Sequence, residues 1–353
     1  MERIYLTHIL PHRIEIEYGL SVAASNFSWT LINGGVFDKF YSIMPSFVSS
    51  RPEVELPELI WSDLRSKGRI AKHLAIITEN WKIFQMLPHK CSVWLYNITT
   101  LNLALFFFIR WFRPKVKTNV IILDYTPAKG MLSRLTLWAY NHADGTIKLA
   151  NSPLFTVKNS ICLPGVTPLM TDGIPQQAGV NRCFLMSGVL NERIALVSMV
   201  LEAFSRMPEL TLHITGFVED LPILERYKRC KNIVFHGKLN YDDYLEVFHG
   251  CSFQLSTRDP DSPENQCNFP SKILEALLHN RIVVSTLQYS QLEGIRYFNV
   301  AANVDEFVKD IERISNLSDS VLLSYANQSS TVIDRYNVNI WKDTMHRIES
   351  QEI

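Results

Sequence analysis

The chain has 353 residues, 47% of them apolar and 20% charged. That is a globular balance, and the length exceeds the usual ceiling for one hydrophobic core, so two domains are expected. The formal charge is zero but unevenly divided: residues 1–180 carry 18 Lys+Arg against 12 Asp+Glu, and the remainder 17 against 23. A basic N-terminal half suits an anionic partner such as a membrane surface or a phosphorylated lipid, and incidental asymmetry is the plain alternative. The six cysteines stand at least 16 residues apart and form no Cys-x-x-Cys or Cys/His ligand pattern. That spacing argues against a structural zinc site and a disulfide framework.

From the N-terminus, MERIYLTHIL reads as a first strand, because its charges sit at Glu2 and Arg3 and Pro11 and His12 follow too soon for a signal peptide. The chain is therefore expected in the cytoplasm, with peripheral contact at the inner face of the membrane. ASNFSWTLINGGVF has apolar residues at helical spacing. A basic run at Arg65, Lys67, Arg69 and Lys72 then precedes the amphipathic segment AKHLAIITENWKIFQML. Residues 91–109 hold 19 positions without a charge, close to a membrane-spanning length. Asn97, Thr99, Thr100 and Asn102 interrupt that stretch and divide it into a buried strand, SVWLYN, and a helix, ITTLNLALFFFIRWF. Arg110, Arg113, Lys115 and Lys117 close this helix with charges suited to lipid headgroups, while Trp94 and Phe106 to Phe108 read as core. NVIILDYTPA is a further strand, and LTLWAYNHADGTIKLANSP gives a helix, a turn at Asp144-Gly145 and another strand.

NSICLPGVTPLMTDGIPQQAGV breaks the pattern with three prolines and three glycines. It is read as a linker at 166–180, between an N-terminal domain at 1–165 and a C-terminal one at 181–335. The last residues, 336–353, are read as a helix returning to the first domain. The second series alternates again: CFLMSGVL, IALVSMVLEAFSRM, LTLHITGF, LPILERYKRC, NIVFHGKL, YDDYLEVFHG, CSFQLST, KILEALLHN and RIVVST. Two tandem α/β domains, each a doubly wound parallel sheet, follow from this alternation. Neither contains a Gly-x-Gly-x-x-Gly turn or a Gly-x-x-x-x-Gly-Lys-Ser/Thr loop, which sets aside nicotinamide enzymes and P-loop nucleotidases.

The loop STRDPDSPENQCNFPSKILEALLHN carries the most chemistry. Pro270 sits where a helix begins, and His279 and Asn280 where it ends. Free N–H groups near Phe269, Ser271 and Lys272 would favour an anion. Lys272 and Glu275 share a helical face, offering an ammonium for a phosphate and a carboxylate for a ribose diol; an ordinary surface pair is the competing reading. His8, at the end of the first strand, could face a ligand cleft, but an ordinary turn histidine is the favoured reading.

From Ser187 onward, SGVLNERIALVSMVLEAF, NIVFHGKLNYDDYLEVFHGC, FPSKILEAL and RIVVST resemble the retaining glycosyltransferases of family 4, which have the GT-B fold. FPSKILEAL is similar to that family's Phe-Pro-Ser-Lys-x-x-Glu signature; SVAASNFSWTLI, LDYTPA and HADGTIKLANSP are more weakly similar to acceptor-side elements. The resemblance implies two Rossmann-like doubly wound domains facing across a cleft, a nucleoside-diphosphate sugar as donor, and a glycan or polyprenyl-linked saccharide as acceptor in surface polysaccharide synthesis. It implies neither a metal nor a cofactor, and no nucleic-acid partner. By the same resemblance Glu275 is the second acid of a Glu-x7-Glu pair that holds the ribose, and Cys267 occupies the place of the first; Asn268 and Glu264 are candidates to take over its contact. Arg193 matches a diphosphate-binding base, Val189 replaces a second one, and Lys272 could supply the missing charge. Gly188 would let backbone approach phosphate, Gly237 and Lys238 would lie near the base, and Arg258 with Asp259 in a loop above the donor. Tyr125 stands where some relatives carry a histidine toward the reaction centre. A sugar-nucleotide epimerase of the same fold and a degenerate scaffold are the rival functions.

Overall fold

The computed structural model describes residues 1–8, 22–43, 59–60, 68–127, 129–169, 175–218 and 221–351. The chain divides into two compact units: Met1–Leu169 with Cys267–Phe269 and Tyr336–Ile353 in the first, and Met170–Gln266 with Pro270–Arg335 in the second.

The first unit is built on β1 (Glu2–Thr7), α1 (Val22–Asn33), β2 (Lys39–Ile43), β3 (Leu59–Ile60), α2 (Arg69–Met86), β4 (Cys91–Tyr96), α3 (Leu103–Phe112), β5 (Lys117–Ile122), α4 (Met131–Asn141), β6 (Gly145–Lys148) and β7 (Ser160–Cys162). Its seven strands lie in the order β3-β2-β1-β4-β5-β6-β7, and every pairing is parallel. β4 is buried along its whole length, which is why CSVWLY is a continuous run and not an alternating one. The uncharged stretch at 91–109 thus resolves into β4 and α3. The helix starts later than its composition suggests, because Asn97 adopts a left-handed φ of 52° and the Asn102 amide donates to the Asn97 carbonyl at 2.8 Å. Among the described residues no helix is long and apolar enough to cross a membrane. Trp94 and Phe106 are fully buried, as expected, but Phe107 and Phe108 are only partly so. β7 corrects the expected break in pattern: Ser160–Cys162 extends the sheet beside β6, its register carried by backbone pairing that prolines and glycines downstream do not touch.

The second unit runs β8 (Cys183–Leu190), α5 (Glu192–Ala195), α6 (Val197–Ser205), β9 (Thr211–Val218), α7 (Leu221–Tyr227), β10 (Ile233–Gly237), α8 (Tyr241–Gly250), β11 (Phe253–Ser256), α9 (Pro263–Cys267), α10 (Ser271–Leu278), β12 (Ile282–Ser285), β13 (Phe298–Asn299), α11 (Val304–Ser315), α12 (Asp319–Ala326) and α13 (Ser329–Tyr336). Its six-stranded order, β10-β9-β8-β11-β12-β13, repeats the first six of the seven strands of the first unit, and its strands are also parallel. The expected single helix IALVSMVLEAFSRM is broken: Leu196 takes φ 49° between α5 and α6, and the Thr257 hydroxyl donates to the Ala195 carbonyl at 2.6 Å. Asparagine caps start several helices, with Asn240 Oδ1 accepting the Asp243 N–H at 2.9 Å on α8 and Asn303 Oδ1 the Glu306 N–H at 3.0 Å on α11.

A last helix, α14 (Val338–Ser350), belongs to the first unit. Glu349 accepts from Arg3 Nε at 2.9 Å and from Trp94 Nε1 at 2.9 Å, and Trp341 Nε1 donates to the Gly165 carbonyl at 2.8 Å. Gly145 is needed here for room and not for a turn: a Cβ would fall 2.1 Å from Ile348 Cγ2.

Candidate functional site

In an open parallel sheet, the strand order reverses at one point, and ligands bind beyond the carboxyl ends of the strands there. In the second unit that point lies between β8 and β11. Ser187 and Gly188 sit near the end of β8, and Lys272 and Glu275 lie on α10, which follows β11. Lys272 Nζ donates to Ser187 Oγ at 2.7 Å, so the two sides of the switch point meet through a cation. The bare Cα of Gly188 makes that approach feasible. Its φ is +117°, and a Cβ would come within 3.1 Å of Lys272 Cε. Across the pairing, Gly216 of β9 has φ +121°, and a Cβ on it would lie 2.1 Å from the Gly188 carbonyl oxygen.

Tyr244 completes the group. The Asn240 cap and the acidic first turn of α8, Asp242 and Asp243, set the start of that helix. One turn on, the Tyr244 ring lies 5.7 Å from Lys272 Nζ, and its hydroxyl makes a long 3.4 Å hydrogen bond to Glu275 Oε2. Lys272 and Glu275 are both partly buried. Burial pushes the Lys272 ammonium below its ordinary pKa, with Glu275 pulling it back. Burial likewise raises the Glu275 carboxyl, with Lys272 and then Tyr244 lowering it. Burial, followed by the Glu275 charge, holds the Tyr244 phenol well above its usual range. The arrangement is a desolvated ammonium and a carboxylate one helical turn apart, beside glycines that admit backbone contact. Such a set can hold an anion at one end and a diol at the other.

The remaining expected site residues are distributed around it. Gly237 and Lys238 are exposed at the end of β10, where Gly237 has φ +67° and its carbonyl accepts from Thr215 Oγ1 at 3.0 Å. Ser271 is exposed at the first position of α10, after Pro270 as its cap. Asn280 ends that helix at φ 55°, the left-handed residue expected there. Arg258 lies in the loop after β11; its backbone N–H donates to Thr286 Oγ1 at 2.7 Å and its guanidinium to Asn265 Oδ1 at 3.2 Å. Arg193 belongs to α5, and its side chain lies outside the described residues. Val189 is 55% exposed, paired in register with Phe217, which is 62% exposed.

Asn268, Phe269 and Tyr125 group with the first unit. Asn268 Oδ1 accepts the Tyr125 N–H at 2.6 Å, and Phe269 is buried. The Tyr125 ring is buried edge-on against Phe155 and Tyr140, at 5.3 and 5.7 Å. Cys267 is also buried there, 3.4 Å from Ser152 Oγ, within the apolar cluster of the first unit. Sequence reasoning missed Ser187, Gly216 and Tyr244. TLHITGF reads as a plain strand and YDDYLEVFHG as a plain amphipathic helix, and only the fold brings them to Lys272.

No protein-family model matches the chain, and no curated protein matches it. Solved structures do, over its full length. The N-terminal domain of Candida albicans trehalose-6-phosphate phosphatase superposes with a TM-score of 0.71 at 11% identity, covering 100% of this chain and 97% of that one. Anabaena HepE in complex with UDP-glucose gives 0.67 at 13%, covering 99% and 100%. A Burkholderia xenovorans α,α-trehalose-phosphate synthase (UDP-forming), in complex with glucose-6-phosphate, gives 0.67 at 10%, covering 98% and 99%. At such identities the likeness defines the fold. The chain is an α/β protein of the GT-B class, with two Rossmann-like units.

Proposed function

We propose that the chain is a glycosyltransferase that takes a sugar from a nucleoside-diphosphate sugar held by its second unit. The observation that carries this reading is the Lys272–Ser187 hydrogen bond at the switch point, over a glycine that leaves room for phosphate. Lys272 and the N–H groups at the start of α10 would bind the diphosphate, and Glu275 the ribose hydroxyls. UDP-glucose in the similar HepE supports a nucleotide sugar as the ligand class. In the retaining course we favour, the sugar–phosphate bond breaks and the acceptor oxygen bonds from the same face. The acceptor proton passes to the departing phosphate, whose growing charge Lys272 stabilises without a metal. The acceptor we infer is a growing surface glycan or a polyprenyl-linked saccharide, bound by the first unit at the inner face of the membrane. The resemblance to family 4 supports that choice.

One observation favours a second reading. Cys267, in the place of an acid, is packed among apolar side chains and offers a sugar nothing. A nucleotide-sugar-binding scaffold would keep Lys272 and Glu275 and need no acid there. Incubation with a panel of nucleotide sugars separates the readings: slow donor hydrolysis marks a transferase, interconversion an epimerase of the same fold, and binding without turnover the scaffold. Lys272→Ala is expected to weaken binding of the matching nucleoside diphosphate roughly ten- to a hundredfold, the worth of a charged hydrogen bond, at unchanged melting temperature. Glu275→Gln should cost as much with the ribonucleotide and little with its 2′,3′-dideoxy analogue. Equal penalties on both nucleotides would remove Glu275 from the ribose.

A further inference from the structure

Three helices of the first unit turn apolar side chains outward. On α2, Ile70, Leu74, Ile77 and Trp81 follow one another at helical spacing and are 79, 60, 45 and 40% exposed. On α4, Met131, Leu135 and Trp138 repeat that spacing at 86, 36 and 40%. Between them α3 ends in Trp111 and Phe112, 66 and 61% exposed. Ring contacts join the stripes. Trp81 meets Phe108 edge-on at 5.1 Å and Phe112 at 6.3 Å, while Phe107 lies 5.0 Å from Trp111 and stacks on Trp138 at 5.8 Å. Scattered exposed hydrophobes are ordinary, but a joined patch of this kind marks an interaction surface.

The charge around the patch is strongly positive. Residues 70–86, 103–117 and 129–144 carry eight Lys/Arg and two Asp/Glu. Both acids are already paired, Glu79 with Lys82 at 2.7 Å and Asp144 with Arg110 at 3.4 Å. Tryptophans set among lysines and arginines suit the boundary between headgroups and acyl chains, where rings with a polar edge are at home and cations meet anionic lipid. A second copy would bring like charge against like charge. We propose that this face, formed by α2, α3 and α4, docks the protein onto an anionic bilayer with Trp111, Phe112 and Trp81 in the interface. The proposal adds a surface to the lipid-linked half of the acceptor reading. It fails separately from the donor reading, because nucleotide binding is measured in solution without lipid.

The full chain would be floated with phosphatidylcholine–phosphatidylglycerol vesicles, with and without bromine on the upper acyl carbons. The expected result is co-flotation, quenching of tryptophan fluorescence by bromolipid, and partition reduced about tenfold or more in Trp111→Ser/Phe112→Ser. Met131→Gln, at a site with almost no packing to lose, should weaken partition less and serves if the double variant misfolds. Binding released wholly by salt without quenching would leave adsorption by charge alone and overturn the insertion. Unchanged partition in both variants, or a lipid-free dimer that the double variant dissolves, would overturn it as well.

Discussion

The first six strands of the two sheets share an order, but large side chains line one centre and glycines the other. In the first unit, among the described residues, β1, β4 and the turn after β4 carry aromatic and amide side chains. Tyr5 and Tyr96 are buried, the Tyr140 hydroxyl accepts the Ile98 N–H at 2.7 Å, and Asn97 Oδ1 accepts the Leu123 N–H at 2.9 Å. In the second unit the same place is kept bare by Gly188 and Gly216, and a cation leans over it. One topology can therefore be lined by aromatic and amide side chains or by glycines. The first lining gains packing, and the second accepts strained backbone and desolvated charge, the usual mark of a functional position.

The comparison breaks most sharply at Gly216. Gly216→Ala puts a methyl group into the Gly188 carbonyl at a left-handed φ, so the second unit should lose about 4 kcal/mol while the first keeps its hydrogen-exchange protection. Unaltered protection throughout would mean that the bare floor is not required. Next in size is Cys267→Glu, which restores the acid that the resemblance places there. Since Cys267 is 3% exposed in the apolar cluster of the first unit, the change should cost about 3 kcal/mol and leave donor hydrolysis no faster. A stable and more active Glu variant would put position 267 at the donor after all.

The smallest effect concerns the end of β1. His8 stands at the end of β1 with its ring edge-on to Tyr96 at 5.3 Å, and among the described residues nothing hydrogen-bonds its Nδ1. Burial lowers its pKa from 6.5 to about 4. Because the folded value is depressed, the stability it contributes is complete above pH 6.5 and is lost as pH falls from 6.5 toward 4. Urea titrations should show about 2 kcal/mol of that loss, allowing for the part of the ring that meets solvent, and His8→Gln should flatten it. The same slope in wild type and variant would assign the acid sensitivity to other groups.

The alternation of strands and helices was legible in the sequence because buried parallel strands and amphipathic helices differ in period. Lys272, Glu275 and the left-handed Asn280 were legible too, since local spacing and capping fix them. What escaped was whatever depended on another element. Cys267 reads as a lost acid, but its surroundings are Ser152 and an apolar cluster. AKHLAIITENWKIFQML reads as amphipathic, but periodicity reports that a stripe exists and not which way it points, and Leu74, Ile77 and Trp81 are exposed. Arg65 and Lys67 of the basic run lie outside the described residues, as does the Arg69 side chain, so the positive face rests on other cations.

The helix α14 is tied to the first strand of the first unit. Arg3 finds Glu349, and Gly34 and Gly145 make room for Val338 and Ile348. During synthesis β1 precedes its carboxylate partner by 346 residues. The second unit, complete once Arg335 has emerged, can condense while the first still waits for its closing helix. Translation order and folding order thus run in opposite senses, and a nascent chain stopped before Val338 would hold a finished second unit and an unfinished first.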